Sequence, residues 1–110
     1  MDDVKVIEKI IKHIDKIIYF TKNVEYEQFK FDNLLQDACF MNLMQIGENA
    51  AKIDDNYIKK HSEIKWKEIK GLRNRIVHDY DGVNINIAWD TITKDLPILK
   101  EQLDKLARKI

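Results

Sequence analysis

Asp32-Asn33-Leu34-Leu35-Gln36-Asp37-Ala38-Cys39-Phe40-Met41-Asn42-Leu43-Met44-Gln45-Ile46-Gly47-Glu48-Asn49-Ala50-Ala51 reads as a helix with two apolar faces. Asp32 has the short, oxygen-bearing side chain that caps a first turn. At about 100° per residue, Leu35, Cys39, Leu43, Ile46 and Ala50 fall on one stripe, continued by Ile53 and Tyr57, so the spacing predicts a helix from Asp32 to about Ile58. Phe40, Met41, Met44, Gly47, Glu48 and Ala51 collect on the opposite side. A helix apolar on both sides has to be covered on both, and a chain of 110 residues has one core to offer. The second face is therefore expected to meet another copy of the chain in a homodimer. Gly47 costs a helix roughly 1 kcal/mol relative to alanine, which close approach of another backbone would explain. Glu48, in the middle of that face, either pairs with a basic residue such as Arg73 or Arg75 or marks the face as less buried than its period suggests.

Outward from this helix the same period recurs. Asp2 or Asp3 can cap a first helix, to about Phe20, in which Val6, Ile7, Ile10, Ile11, Ile14, Ile17 and Ile18 face inward and His13 sits on the polar side. Thr21 to Phe31 is a polar joint in which Tyr26 and Phe29 can form one short turn. Ser62 can cap a helix through Trp66, Ile69, Leu72, Ile76 and Val77, ended by Asp81-Gly82. Asn84 or Asn86 can cap the last, through Ile87, Trp89, Ile92, Leu96, Leu99, Leu103, Leu106 and Ile110, with a kink or restart near Asp95 to Pro97. The expected architecture is all-α, an antiparallel bundle of four to five helices in one domain, residues 1–110.

Composition agrees with that class: 45% apolar and 35% charged residues, three Gly and one Pro leave few sites for hairpin turns. The single cysteine makes no internal disulfide, and with three scattered histidines it offers no metal-ligand spacing, so Cys39 reads as a small core residue. Apolar runs are too short for a membrane span, and acids stand where a secretory signal carries bases, so a cytoplasmic protein is expected. Formal charge is zero, yet residues 59–75 hold seven Lys/Arg against two Glu, while residues 25–55 hold seven acids against two Lys. A basic segment of that kind suits an anionic ligand such as RNA, and suits a solvated helix face equally.

Within the basic segment stands Gly71-Leu72-Arg73-Asn74-Arg75-Ile76-Val77-His78-Asp79-Tyr80. Arg73 can hold a phosphate, His78 can move protons near neutral pH, and Tyr80 carries a phenol that both donates and accepts. Arg73 shares an arc with Trp66, Ile69, Ile76, Val77 and Tyr80, so it is expected among apolar neighbours, paired or functional. Five residues of regular helix turn side chains apart by about 140°. Arg73 and His78 therefore meet only if the helix loosens before His78 or if two chains pool their residues across a symmetric interface.

The longer string, from Gly71 to Tyr80 and on through Asp81-Gly82, resembles the R-x4-H-x-Y signature of HEPN-domain proteins of the HepT type, toxins of HepT/MntA toxin–antitoxin modules. The similarity extends to Gln45-Ile46-Gly47-Glu48-Asn49-Ala50-Ala51-Lys52 upstream and to Trp89 and Asp95-Leu96-Pro97 downstream, nearly the whole chain. The resemblance implies an α-helical homodimer with its cleft between protomers. It implies a metal-independent, cofactor-free endoribonuclease in which Arg73 and His78 are the catalytic pair. It further implies that an MntA-like nucleotidyltransferase antitoxin adenylylates Tyr80 and so silences the toxin. Asn74, Arg75 and Glu48 are candidates for positioning RNA. A different class competes: a non-catalytic helical adaptor that uses this surface to bind a nucleotidyltransferase, and which has no need of His78. A small-ligand bundle would use the basic segment with Trp66, Trp89 and Tyr57, residues that also serve as core.

Overall fold

A computed structural model of the chain describes residues 2–78 and 84–108, with side chains described through Ile76 and again from Asn84. Among these residues every regular element is helical: α1 Asp3–Thr21, α2 Tyr26–Lys30, α3 Asn33–Ala50, α4 Asp55–Lys60, α5 Trp66–His78, α6 Ile85–Asp90, a π-helical turn Thr91–Asp95, and α7 Leu96–Arg108. None of the helices described is long and apolar enough to cross a membrane.

Asp2 caps α1 by accepting from the Val4 backbone N–H at 3.0 Å. The inward stripe then buries Val6, Ile7, Ile10, Ile14 and Ile17 completely. Two bonds fix how α3 lies on it. Asp3 near the start of α1 accepts from the Asp54 backbone N–H just after α3, at 3.2 Å, and His13 further along α1 meets Asn42, earlier in α3, at 2.8 Å. The two helices thus run antiparallel. His13, expected on a solvated side, is half-buried there. Asn42 Nδ2 donates to the Ala38 carbonyl at 2.8 Å, so its Oδ1 is the acceptor and His13 Nδ1 carries the proton.

The long helix expected to reach Ile58 stops at Ala50. Asp54 accounts for the break: its side chain accepts from the Asn56 N–H at 3.1 Å, which starts α4. The apolar period concealed it because Ile53 stays on the inward stripe and is 4% exposed. The third long helix also begins later than expected, at Trp66 rather than after Ser62. The His61 carbonyl accepts from both the Ile64 N–H (3.2 Å) and the Trp66 indole (3.0 Å), folding residues 61–65 into a turn. Asn84 caps α6 as expected, accepting from Asn86 and Ile87. The restart expected near Asp95 to Pro97 is present: a widened turn, with the Leu96 N–H reaching back to Thr91, gives way to α7 at Leu96. Pro97 then occupies the first turn of α7, where its missing donor matters least. Lys100 bridges Asp15 of α1 (3.2 Å) and Asp104 (3.1 Å), tying the two helices together.

The second face of α3 is covered in part by the chain itself. Phe40, expected at a partner surface, is 4% exposed and meets Phe29 of α2 edge-on, ring centroids 6.4 Å apart. Gly47, also assigned to that surface, packs against α5. Outward remain Met41, Ala51 and, seven residues before Met41, Leu34, while Met44 is half-buried.

Candidate active site

Gly47 sets the geometry. A Cβ built on it would stand 2.8 Å from the backbone nitrogen of Arg73, 3.1 Å from its Cβ and 3.2 Å from the Ile69 carbonyl oxygen, so α3 and α5 cross here backbone to backbone. The close approach of another backbone expected at Gly47 is present, and the backbone is that of α5 in the same chain, although Gly47 belongs to the face assigned to a second copy. It delivers the next residue, Glu48, to the guanidinium: Glu48 Oε1 lies 2.6 Å from Arg73 Nε. The pairing of Glu48 with an arginine was legible from its place among apolar residues, although neither side chain is deeply buried, at 45% and 48% exposed. Arg73 is thus a half-exposed, oriented cation instead of one enclosed by apolar neighbours. Asn74 Oδ1 accepts from Arg73 Nη1 at 3.5 Å.

The helix brings Glu48, Arg73 and Asn74 together and sets Arg75 apart. Two residues along α5 is about 200°, and Arg75 stands with Asp95 at a cleft of about 240 Å³ floored by Ile69, Leu72, Leu96 and Leu99. The backbone of α5, Trp66–His78, is helical up to His78, where the described residues pause, so the loosening considered as one way to join it with Arg73 does not occur within residues 66–78. The His78 side chain and Tyr80, with Asp81-Gly82, lie outside the described residues.

Other chemistry-bearing groups have structural explanations. Cys39 is fully buried, and desolvation pushes its thiol up to about 12, far from thiolate at neutral pH. Trp66 is in the core, and Trp89 packs tilted against Phe29, ring centroids 4.9 Å apart. Tyr57 packs tilted against His61, centroids 4.5 Å apart, its phenol held above the usual range by burial and then by Asp3 and Glu63. Among the described residues no three His, Cys, Asp or Glu converge as metal ligands. The polar pair missed in the sequence is His13 with Asn42. The available signal was an asparagine in the middle of an otherwise apolar helix.

The family model described as "Ribonuclease HepT-like" matches residues 10–106. "Putative RNase TTE0752" of Caldanaerobacter subterraneus subsp. tengcongensis is 35% identical over 103 residues, 94% of this chain and 92% of that protein. "Putative RNase MJ1216" of Methanocaldococcus jannaschii is 35% identical over 92% of this chain and 84% of its own length. "Probable ribonuclease HepT" of Thermococcus cleftensis is 33% identical over 93% of each chain. No solved structure matches. A helical chain matched from Ile10 to Leu106, with relatives of this identity over nearly their full length, belongs to the HepT-like ribonuclease family.

Proposed function

We propose that this chain is the toxin of a toxin–antitoxin module, a homodimeric, metal-independent endoribonuclease of the cytoplasm. The observation that carries the reading is Arg73: a half-exposed guanidinium held by Glu48, five residues before His78 on a helix that is regular through the described residues. Five residues of regular helix correspond to a rotation of about 140°, which is the ground for taking Arg73 from one copy and His78 from the other in one site. The outward Leu34 and Met41 of α3 lie on the flank that leads along the helix to Glu48, and a second copy seated there would cover them.

In this reading a ribose 2′-OH loses its proton to His78 and its oxygen attacks the neighbouring phosphorus. The bond to the 5′-oxygen breaks, and that oxygen takes a proton back. Products are a 2′,3′-cyclic phosphate and a 5′-hydroxyl. Proton transfer of this kind is worth roughly 10²–10⁴-fold, and Arg73 balances charge on the phosphorane. Asn74 and Arg75 position RNA. Adenylylation of Tyr80 by a nucleotidyltransferase antitoxin adds negative charge where phosphates must sit and silences the enzyme.

Expression of the chain alone should arrest growth, and the Arg73→Ala/His78→Ala chain should not. Purified protein should cleave RNA with EDTA present and leave a 2′-deoxy substrate intact. Growth arrest that persists in the double variant would favour the adaptor. Cleavage of the deoxy substrate would end the 2′-OH mechanism.

A further inference from the structure

Beyond the catalytic pair, and resting on the ribonuclease reading, we infer that Glu48 is a positioning residue: its carboxylate orients Arg73 for the phosphate and does not itself touch RNA. Arginine presents five N–H donors in one plane, and the direction of that plane decides whether a phosphate is met by two donors or by none. At a surface the side chain has many rotamers. Here the Nε–H edge is taken by Glu48 Oε1 at 2.6 Å and Nη1 stands 3.5 Å from Asn74 Oδ1, while 48% of the side chain remains exposed. The guanidinium is oriented and still reachable.

Glu48 is fixed in turn. Its neighbour Gly47 lies against the backbone of Arg73 and Ile69, so the α-carbon of residue 48 has a set distance from the arginine it serves. The pair is poorly explained as a stabilising contact, because ion pairs this exposed to solvent contribute little to folding. Nor does Glu48 serve the other arginine of the segment, since Arg75 stands at the cleft on another side of α5. A carboxylate facing RNA directly would repel it. One already engaged with Nε offers its charge to the arginine and leaves the remaining N–H groups for the phosphate. Misplacing a positioned group by about 1 Å costs on the order of 10²-fold in rate.

The test measures kcat and KM for RNA cleavage by Glu48→Ala, Glu48→Gln, Arg73→Ala and the Glu48→Ala/Arg73→Ala double variant, each shown to fold by circular dichroism and thermal melting. Positioning requires that Glu48→Ala lose roughly 10–10²-fold in kcat with KM within about 3-fold. Glu48→Gln, which keeps an oxygen for the Nε–H, should recover most of that loss. The double variant should be no slower than Arg73→Ala, because Glu48 acts through the arginine. Full activity in Glu48→Ala, faster cleavage or tighter RNA binding there, a Gln variant as slow as the Ala variant, or additive losses in the double variant would each overturn the inference. An Arg73→Ala enzyme as active as the wild type would remove the catalytic role of Arg73 through which Glu48 acts, and a wild type that cleaves no RNA would instead remove the ribonuclease reading on which the inference rests.

Discussion

Gly47 of α3 and Arg73 of α5 touch through their backbones, with 2.8 Å between the arginine's nitrogen and the place where a Cβ on residue 47 would stand. No flexible side-chain end is available there to move aside. Gly47→Ala gains roughly 1 kcal/mol of helix propensity, whereas forcing α3 and α5 apart costs about 1–3 kcal/mol. The expected net result is a loss of between zero and about 2 kcal/mol in urea unfolding, with cleavage reduced further than the folded fraction explains, because Glu48 moves with residue 47. An alanine variant more stable than the wild type would mean the helices have slack at this crossing.

Met41 is 56% exposed and Leu34 81%, on the outward side of a helix whose other apolar residues are largely covered. If a second copy sits here, Met41→Lys places an unpaired cation in the interface and should yield monomer by light scattering at micromolar concentration. Far-ultraviolet dichroism should be unchanged, and RNA cleavage should fall with the dimer. A Met41→Lys protein that remains dimeric puts the interface elsewhere.

Cys39 gives a pH dependence with a definite sign. Its thiol rises from 9.0 to about 12 in the folded chain. Between those values the unfolded chain has released the proton and the folded chain has kept it, so stability falls as pH rises through that window and is unaffected below it. The difference in unfolding free energy between wild type and Cys39→Ala should therefore be flat up to about pH 9 and move against the wild type above it. A thiol reagent at pH 8 should label the native protein only at the rate of its opening. Rapid native labelling would contradict a buried thiol.

Tyr80→Phe keeps the ring and removes the oxygen that an adenylyl group needs. The variant should fold, dimerise and arrest growth, yet escape the antitoxin. Incubation with antitoxin and ATP should add adenylyl mass to the wild type alone by intact-mass spectrometry. Equal modification of Tyr80→Phe would place the target at another residue.

Much of this molecule was legible because helices announce themselves by period. Val6, Ile7, Ile10, Ile14 and Ile17 of the first stripe are buried, with Ile11 and Ile18 half-buried beside them, and the Asp2, Asp32 and Asn84 caps form as their side chains suggest. Periodicity is blind where two helices share a phase: Ile53 continues the stripe of α3 across the break, and only Asp54 betrays the new start. It is equally blind to what covers a face. Gly47 and Phe40 looked alike as members of a partner surface, but a glycine opposite an arginine backbone and a phenylalanine beside Phe29 are facts of tertiary packing. Glu48 could be paired with an arginine from the sequence because a carboxylate among apolar residues needs a cation. The choice of Arg73 over Arg75 required knowing which side of α5 faces α3.

The widened turn at Thr91–Asp95 bears on how this chain can change in length. A π turn holds one residue more than the α turn it replaces, so a single deletion inside it can be absorbed by reverting to ordinary helical winding. The same deletion after Leu96 would rotate Leu99, Leu103 and Leu106 by about 100° and carry them out of the core. Along the rod from Ile85 to Arg108, tolerance to single-residue loss should therefore be confined to that one turn, and a deletion scan would find it as an isolated peak of survival among unfolded neighbours.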